Sequence, residues 1–145
     1  MAEVKIVLLG SIGVVAETSE LQRQAYNMAF ARHGLDWYWT VGNYCEMLCN
    51  PGGLKRLQSY ANGTLSSDLS SAIHHSKAEF FKELVSDGLS FRDGVVDCLE
   101  ACKAQGIKLG FITTTTAETI EILRDALSPV FDFGHLRLLM SMSYS

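Results

Sequence analysis

The chain has 145 residues, 48% of them hydrophobic and 19% charged, with 12 Gly, 2 Pro and a formal net charge of −4. So apolar a chain can bury enough surface to offset its conformational entropy, which excludes an intrinsically disordered protein; the length suits one ordinary domain, or a core with an insertion. The acidic balance offers no attraction toward nucleic acid or an anionic membrane, and neither is expected as a partner.

The first element in chain order is an apolar run, Val4–Leu9, broken only by Lys5 and ending at Gly10. Continuous hydrophobicity predicts a parallel strand covered on both faces. The run is too short for a signal peptide, and nothing approaches the ~18 apolar residues of a membrane span, so a cytoplasmic location with reduced thiols is expected. Thr18 and Ser19 offer an N-cap for a helix carrying Leu21, Ala25, Met28, Ala29 and Arg32, closed by Gly34. Short helices over Val41–Cys49 and Leu54–Ala61 flank the turn Asn50-Pro51-Gly52-Gly53. Ser66–Val85 reads as a long amphipathic helix and Val95–Lys103 as another, before a second buried strand at Ile107–Ile112. Four threonines follow that strand, then a helix over Thr119–Leu127.

A parallel crossover needs one helix of about a dozen residues. Residues 11–106 separate the two strands here, almost all with a helical pattern. That surplus predicts a helical insertion over residues 17–88, above the C-terminal edge of the sheet, where open α/β sheets bind ligands. Cys45 and Cys49, like Cys98 and Cys102, share a spacing of four that places each pair on one helix face. No glycine-rich knuckle flanks either pair, so small apolar residues lining helix faces are expected rather than zinc ligands.

Several segments resemble the haloacid-dehalogenase-like (HAD) hydrolases, in the branch of phosphoglycolate phosphatases and β-phosphoglucomutases. These are Gly13-Val14-Val15-Ala16-Glu17-Thr18, Glu20-Leu21-Gln22-Arg23-Gln24-Ala25-Tyr26-Asn27, Gly34-Leu35-Asp36-Trp37, the Gly52-Gly53 turn, Phe91-Arg92-Asp93-Gly94-Val95, and Gly106 to Thr114. The resemblance runs from about Val4 to Leu127. It implies an α/β fold, a Rossmann-like parallel core built from residues 1–16 and 89–145 and incomplete at its C-terminus, with an α-helical cap over 17–88.

In this family an Asp at the end of strand one attacks phosphorus, an Asp two residues later protonates the leaving oxygen, and an acidic pair holds Mg²⁺. The matching positions here are Gly10 and Ile12, which can do neither, and no Asp precedes Asp36. The family's later Lys and acidic pair would fall beyond residue 140, so no cofactor is expected. Losing a covalent nucleophile costs about 10⁶ in kcat, or ~8 kcal/mol of transition-state stabilisation, so catalysis is expected to be degenerate. A phosphate cradle can outlive catalysis. By resemblance, Ser11 and Gly13 in the first turn and Thr113 and Thr114 after the second strand would hold a phosphorylated metabolite. Gly53, Lys55 and Arg56 stand where the family's cap meets substrate, with Leu54 in place of its Lys.

Turns, caps and a solvated helix face are the simpler account of those residues. His74, His75 and Lys77 are expected as exposed polar groups, and Trp37 and Trp39 as packing. The alternative is an active hydrolase of a small sugar phosphate or phosphoglycolate-type substrate, recruiting Ser11 or Thr113 as nucleophile. Phe131-Asp132-Phe133 resembles the approach to a third core strand, whereas residues 136–145 match nothing in the family. Strand one would then be an open apolar edge, expected to pair in a homodimer or be covered by a partner.

Overall fold

The computed structural model describes residues 6–10, 12–113, 116–129 and 137–140. They form two compact units, one from residues 1–18 and 89–145, the other from Ser19–Gly88.

The Ser19–Gly88 unit is entirely helical: α1 (Ser19–Arg32), α2 (Val41–Met47), α3 (Gly53–Ala61) and α4 (Ser67–Asp87). Each boundary has a local cause. Thr40 Oγ1 accepts from Asn43 N at 3.2 Å to start α2, and Ser66 Oγ accepts from Leu69 N at 3.1 Å to start α4. Gly34 follows α1 at φ +69°, a left-handed position that a side chain would strain, and lets Leu35 N reach back to Phe30 O at 3.0 Å.

The core of this unit is Tyr26, Ala29, Phe30, Trp39, Tyr44, Leu57 and Ile73. Trp39 sits at its centre, with ring centroids 4.7 Å from Tyr26, 4.9 Å from Phe30 and 5.4 Å from Tyr60. Its backbone is fixed as firmly as its ring. Asn27 accepts from Trp39 N at 2.8 Å and donates to Trp39 O at 3.0 Å, and Arg23 Nη1 donates to the same carbonyl at 2.7 Å. Arg23 is buried and carries its counter-charge with it, since Nε donates to Glu20 Oε2 at 2.8 Å.

The Arg23 guanidinium holds the Glu20 carboxyl down to about 2 from the usual 4.5. A carboxylate depressed on folding adds stability above its unfolded pKa and loses it as pH falls through the folded value. The thermal midpoint of the native chain should therefore fall more steeply between pH 4.5 and 2 than that of Glu20→Gln. Parallel slopes would show that the pair adds nothing.

Lys77 departs from the expectation of an exposed polar group. It is 5% exposed, with its ammonium 5.3 Å from the Tyr26 ring centroid and 5.2 Å from that of Phe81. The long apolar stem and the ring faces make such burial tolerable. His74 is half-buried, and His75 is exposed with Nε2 3.7 Å from Glu79. Trp39 and Trp37 pack as expected, Trp37 edge-on to Phe30 and Tyr60.

The other unit is a parallel sheet of β1 (Ile6–Gly10), β2 (Lys108–Thr113) and β3 (Arg137–Met140) in the order β1-β2-β3, with α5 (Val95–Ala104) and α6 (Ala117–Leu127). Burial of strand one on both faces is not what the structure has. Ile6 is 54% and Leu8 49% exposed, because the register sets Ile6, Leu8 and Gly10 beside Lys108, Gly110 and Ile112 on a face that no described element covers. The tail that matched nothing contributes β3, parallel to β2; Phe131–Phe133 lies outside the described residues. The last of the four threonines caps a helix. Thr116 Oγ1 accepts from Thr119 N at 3.3 Å and starts α6 two residues before the expected position. Cys98 and Cys102 share α5, Cys102 buried and Cys98 exposed, whereas Cys49 lies past the end of α2.

Candidate anion-binding site

β1 delivers the chain to Gly10, and a single 3-10 turn over Ile12–Val14 follows. Gly10 pairs with Ile112, so the ends of β1 and β2 lie side by side with Thr113 closing β2. Ser11 and Thr114 lie outside the described residues. A Cβ built on Gly10 meets no atom within 4 Å. Among the described residues other than its chain neighbours, the space that a side chain at position 10 would use is therefore open.

The turn is clamped from behind by the segment that returns to the sheet. Ala16 bridges Phe91, Glu17 N donates to Ser90 O at 3.0 Å, and Arg92 N donates to Val15 O at 3.0 Å. The Arg92 side chain adds a bond from Nε to Gly13 O and an ion pair from Nη2 to Glu17 Oε2 at 2.8 Å. Sequence reasoning places Arg92 only within a stretch leading back to the core. Its partners, Gly13 and Glu17, lie far away in the chain, and no local pattern signals them.

Glu17, the carboxylate nearest the strand end in sequence, is thus engaged with a cation. Among the described residues no three His, Cys, Asp or Glu side chains gather to hold a metal ion. The donor set among the described residues does not fit the family's Mg²⁺.

In the helical unit, Gly53 is the first residue of α3 and Lys55 and Arg56 lie in its first turn. Lys55 is exposed. Arg56 is tied to the end of α2, donating from Nε to Met47 O and from Nη2 to Asn50 O, each at 3.2 Å, with its guanidinium 5.3 Å from the Tyr44 ring centroid. That staple adds a second donor to Met47 O, which also accepts from Asn50 N at 3.4 Å, and gives Asn50 O a partner.

No protein-family model matches the chain. Protein CbbY of Rhodobacter capsulatus is 34% identical over 125 residues, 83% of this chain. The crystal structure of CbbY from Rhodobacter sphaeroides in complex with phosphate superposes with a TM-score of 0.80 at 30% identity, covering 96% of this chain. An aspartate-to-asparagine variant of that protein was solved in complex with xylulose-(1,5)bisphosphate and superposes equally well. A HAD hydrolase of family IA from Entamoeba histolytica shares the fold at 14% identity, with a TM-score of 0.70 over 99% of this chain. The chain spans 55% of the length of the R. capsulatus protein and 64% of the solved R. sphaeroides chain.

The parallel strands, the turn after the first of them and the helical segment inserted there define a Rossmann-like core of the HAD type. The chain is similar to Protein CbbY over most of its own length and shares the fold of the haloacid-dehalogenase-like hydrolases. Among the described residues no helix is long and apolar enough to cross a membrane.

Proposed function

We propose that this chain is a HAD-like domain that binds a phosphorylated metabolite without hydrolysing it. The observation that carries the reading is Gly10: the strand ends on a residue without a side chain, beside open space, and the nearest carboxylate in sequence is bound to Arg92. A glycine there also removes a negative charge that would repel phosphate. Backbone N–H groups of the Gly10–Val14 turn, together with Thr113, would supply donors to an oxyanion. Arg92 would keep the turn in shape through the Gly13 carbonyl. In the helical unit Lys55 supplies an exposed positive charge, while Arg56 positions the Met47–Gly53 turn. Support for a sugar phosphate as ligand comes from CbbY of R. sphaeroides, solved with phosphate and with xylulose-(1,5)bisphosphate.

Phosphate release from a panel of sugar phosphates, with and without Mg²⁺, tests the reading on the native chain and on Gly10→Asp/Ile12→Asp. The native chain should release none above the protein-free blank. The Asp at position 10 has room to stand, so the double variant should fold. Mg²⁺-dependent turnover by the native chain that persists in Ser11→Ala and Thr113→Ala would overturn the proposal. Turnover lost in either of those variants would install the alternative, a hydrolase with a non-standard nucleophile.

A further inference from the structure

The chain has four asparagines, and a different residue follows each: Met28 after Asn27, Tyr44 after Asn43, Pro51 after Asn50 and Gly63 after Asn62. An asparagine side-chain amide is an electrophile that the next residue's backbone nitrogen can reach. Whether attack occurs depends on how freely the backbone turns and on what else holds the two groups. Asn27 is held on both sides, since it accepts from Trp39 N and donates to Trp39 O. Asn43 Oδ1 accepts from Thr40 Oγ1 at 2.7 Å, and Tyr44 N donates to Thr40 O at 3.0 Å. After Asn50, Pro51 offers no N–H.

Asn62 escapes all of these restraints. It closes α3 at φ 46° and ψ 45°, the one non-glycine residue with a positive φ among the described residues. Asparagine tolerates this left-handed position better than most side chains do. Its own N–H reaches Gln58 O and Ser59 O, and Thr64 N bonds to Ala61 O at 2.9 Å. Between those bonds, Gly63 N donates to no acceptor and the Asn62 side-chain amide has no partner among the described residues. Gly63 sits at φ +81° with no atom within 4 Å of the place a Cβ would take, and residues 62–64 are all exposed. The attacking nitrogen is thus unengaged, unshielded and open to water.

We propose that Asn62-Gly63 is a site of spontaneous covalent modification, where the folded chain deamidates to aspartyl and isoaspartyl forms. Gly63 N attacks Asn62 Cγ and loses its proton to solvent base. The new C–N bond closes a five-membered succinimide ring, the bond from Cγ to the side-chain nitrogen breaks, and that nitrogen leaves as ammonia. Water then opens the ring. Opening at the side-chain carbonyl leaves an aspartyl residue; opening at the main-chain carbonyl leaves an isoaspartyl residue, with the chain running through the former side chain. The net change is amide plus water to carboxylic acid plus ammonia, and no oxidant or reductant takes part. Either product sets a negative charge at the C-terminus of α3, where the helix dipole already presents its negative end. The isoaspartyl form also adds a backbone atom between Ala61 and Thr64, the pair whose hydrogen bond closes the turn. Modification therefore loosens the end of a helix that carries the buried Leu57 and Ala61.

The test incubates the full chain and Asn62→Gly at mildly alkaline pH, folded and, in parallel, unfolded in urea, with peptide mass spectrometry at intervals. Asn62→Gly keeps the left-handed cap and has no amide to lose there. In the folded native chain, residue 62 should gain the mass difference between an amide and a carboxylic acid, with isoaspartate among the products. Its rate should match that of the unfolded chain, and the thermal midpoint should fall as the modified fraction grows. Asn27, Asn43 and Asn50 should keep their mass in the folded chain, and Asn62→Gly should show no gain at all. A folded chain that resists while the unfolded chain reacts would overturn the proposal, because the cap would then be protective. Equal gain at Asn43 in the folded chain would overturn it too, since the contacts that distinguish the two sites would then count for nothing.

Discussion

Replacing Trp39 by Ala should destabilise the helical unit by about 3–5 kcal/mol, the largest effect expected of any single substitution in the chain. Trp39 has no exposed surface and touches the rings of Tyr26, Phe30, Tyr44 and Tyr60, so its removal opens a cavity where four aromatic residues meet. The cavity cannot close easily. The backbone of residue 39 is held by Asn27 and Arg23 whatever side chain it bears, so the loop stays in place while its centre is empty. Trp39→Phe separates packing from polarity. It keeps most of the ring volume and removes the indole Nε1, a buried atom without a partner among the described residues, and should cost less than about 1.5 kcal/mol. Urea unfolding followed by the fluorescence of Trp37 measures both variants. A loss below about 1 kcal/mol in Trp39→Ala, close to the range of ordinary surface changes, would show that the cluster is not the keystone of the unit.

Gly53→Ala should destabilise by about 1–3 kcal/mol, the ordinary cost of forcing an atom into a packed site. At an unencumbered helix position the same change would gain up to ~1 kcal/mol. The sign reverses because the new Cβ would meet Tyr26 Oη at 2.5 Å, and the Tyr26 ring, wedged against Trp39 and Phe30, cannot swing aside. The pair therefore couples. In Gly53→Ala/Tyr26→Phe the obstructing oxygen is gone, and the double variant should recover most of the stability lost in Gly53→Ala. The interaction energy from a thermal or urea double-mutant cycle should be at least ~1 kcal/mol, and strict additivity would refute the contact.

Local chemistry made much of the fold legible. Thr40 and Ser66 sit where short polar side chains cap helices, Gly34 where a helix must reverse, and the run ending at Gly10 becomes a strand as its continuous hydrophobicity predicts. Helix ends differ from expectation where a capping hydroxyl further upstream prevails, as Thr116 does for α6. The burial of β1 departs from the pattern for a different reason. Apolar continuity reports how hydrophobic a strand is, whereas its coverage depends on which elements lie over the sheet, and none described here covers Ile6 and Leu8. Lys77 misleads in the opposite direction, since a charged residue on an amphipathic helix reads as solvated until the ring faces of Tyr26 and Phe81 are seen around it.

The candidate site divides along the same line. The sequence by itself put Gly10 and Ile12 where the family resemblance implies a nucleophile and an acid, since chemical identity at a position needs no coordinates. It also pointed to the Gly52-Gly53 turn, because glycine pairs mark places where backbone must come close to something. What that something is, only the tertiary structure decided. Arg92 reaches back along the chain to Gly13 and Glu17, Arg56 turns back to staple α2, and Tyr26 from α1 meets Gly53 from α3. Hydrogen bonds and steric contacts act over a few ångströms in space and are indifferent to separation along the chain. A residue's partners therefore emerge only when the packing of whole helices has set the distances.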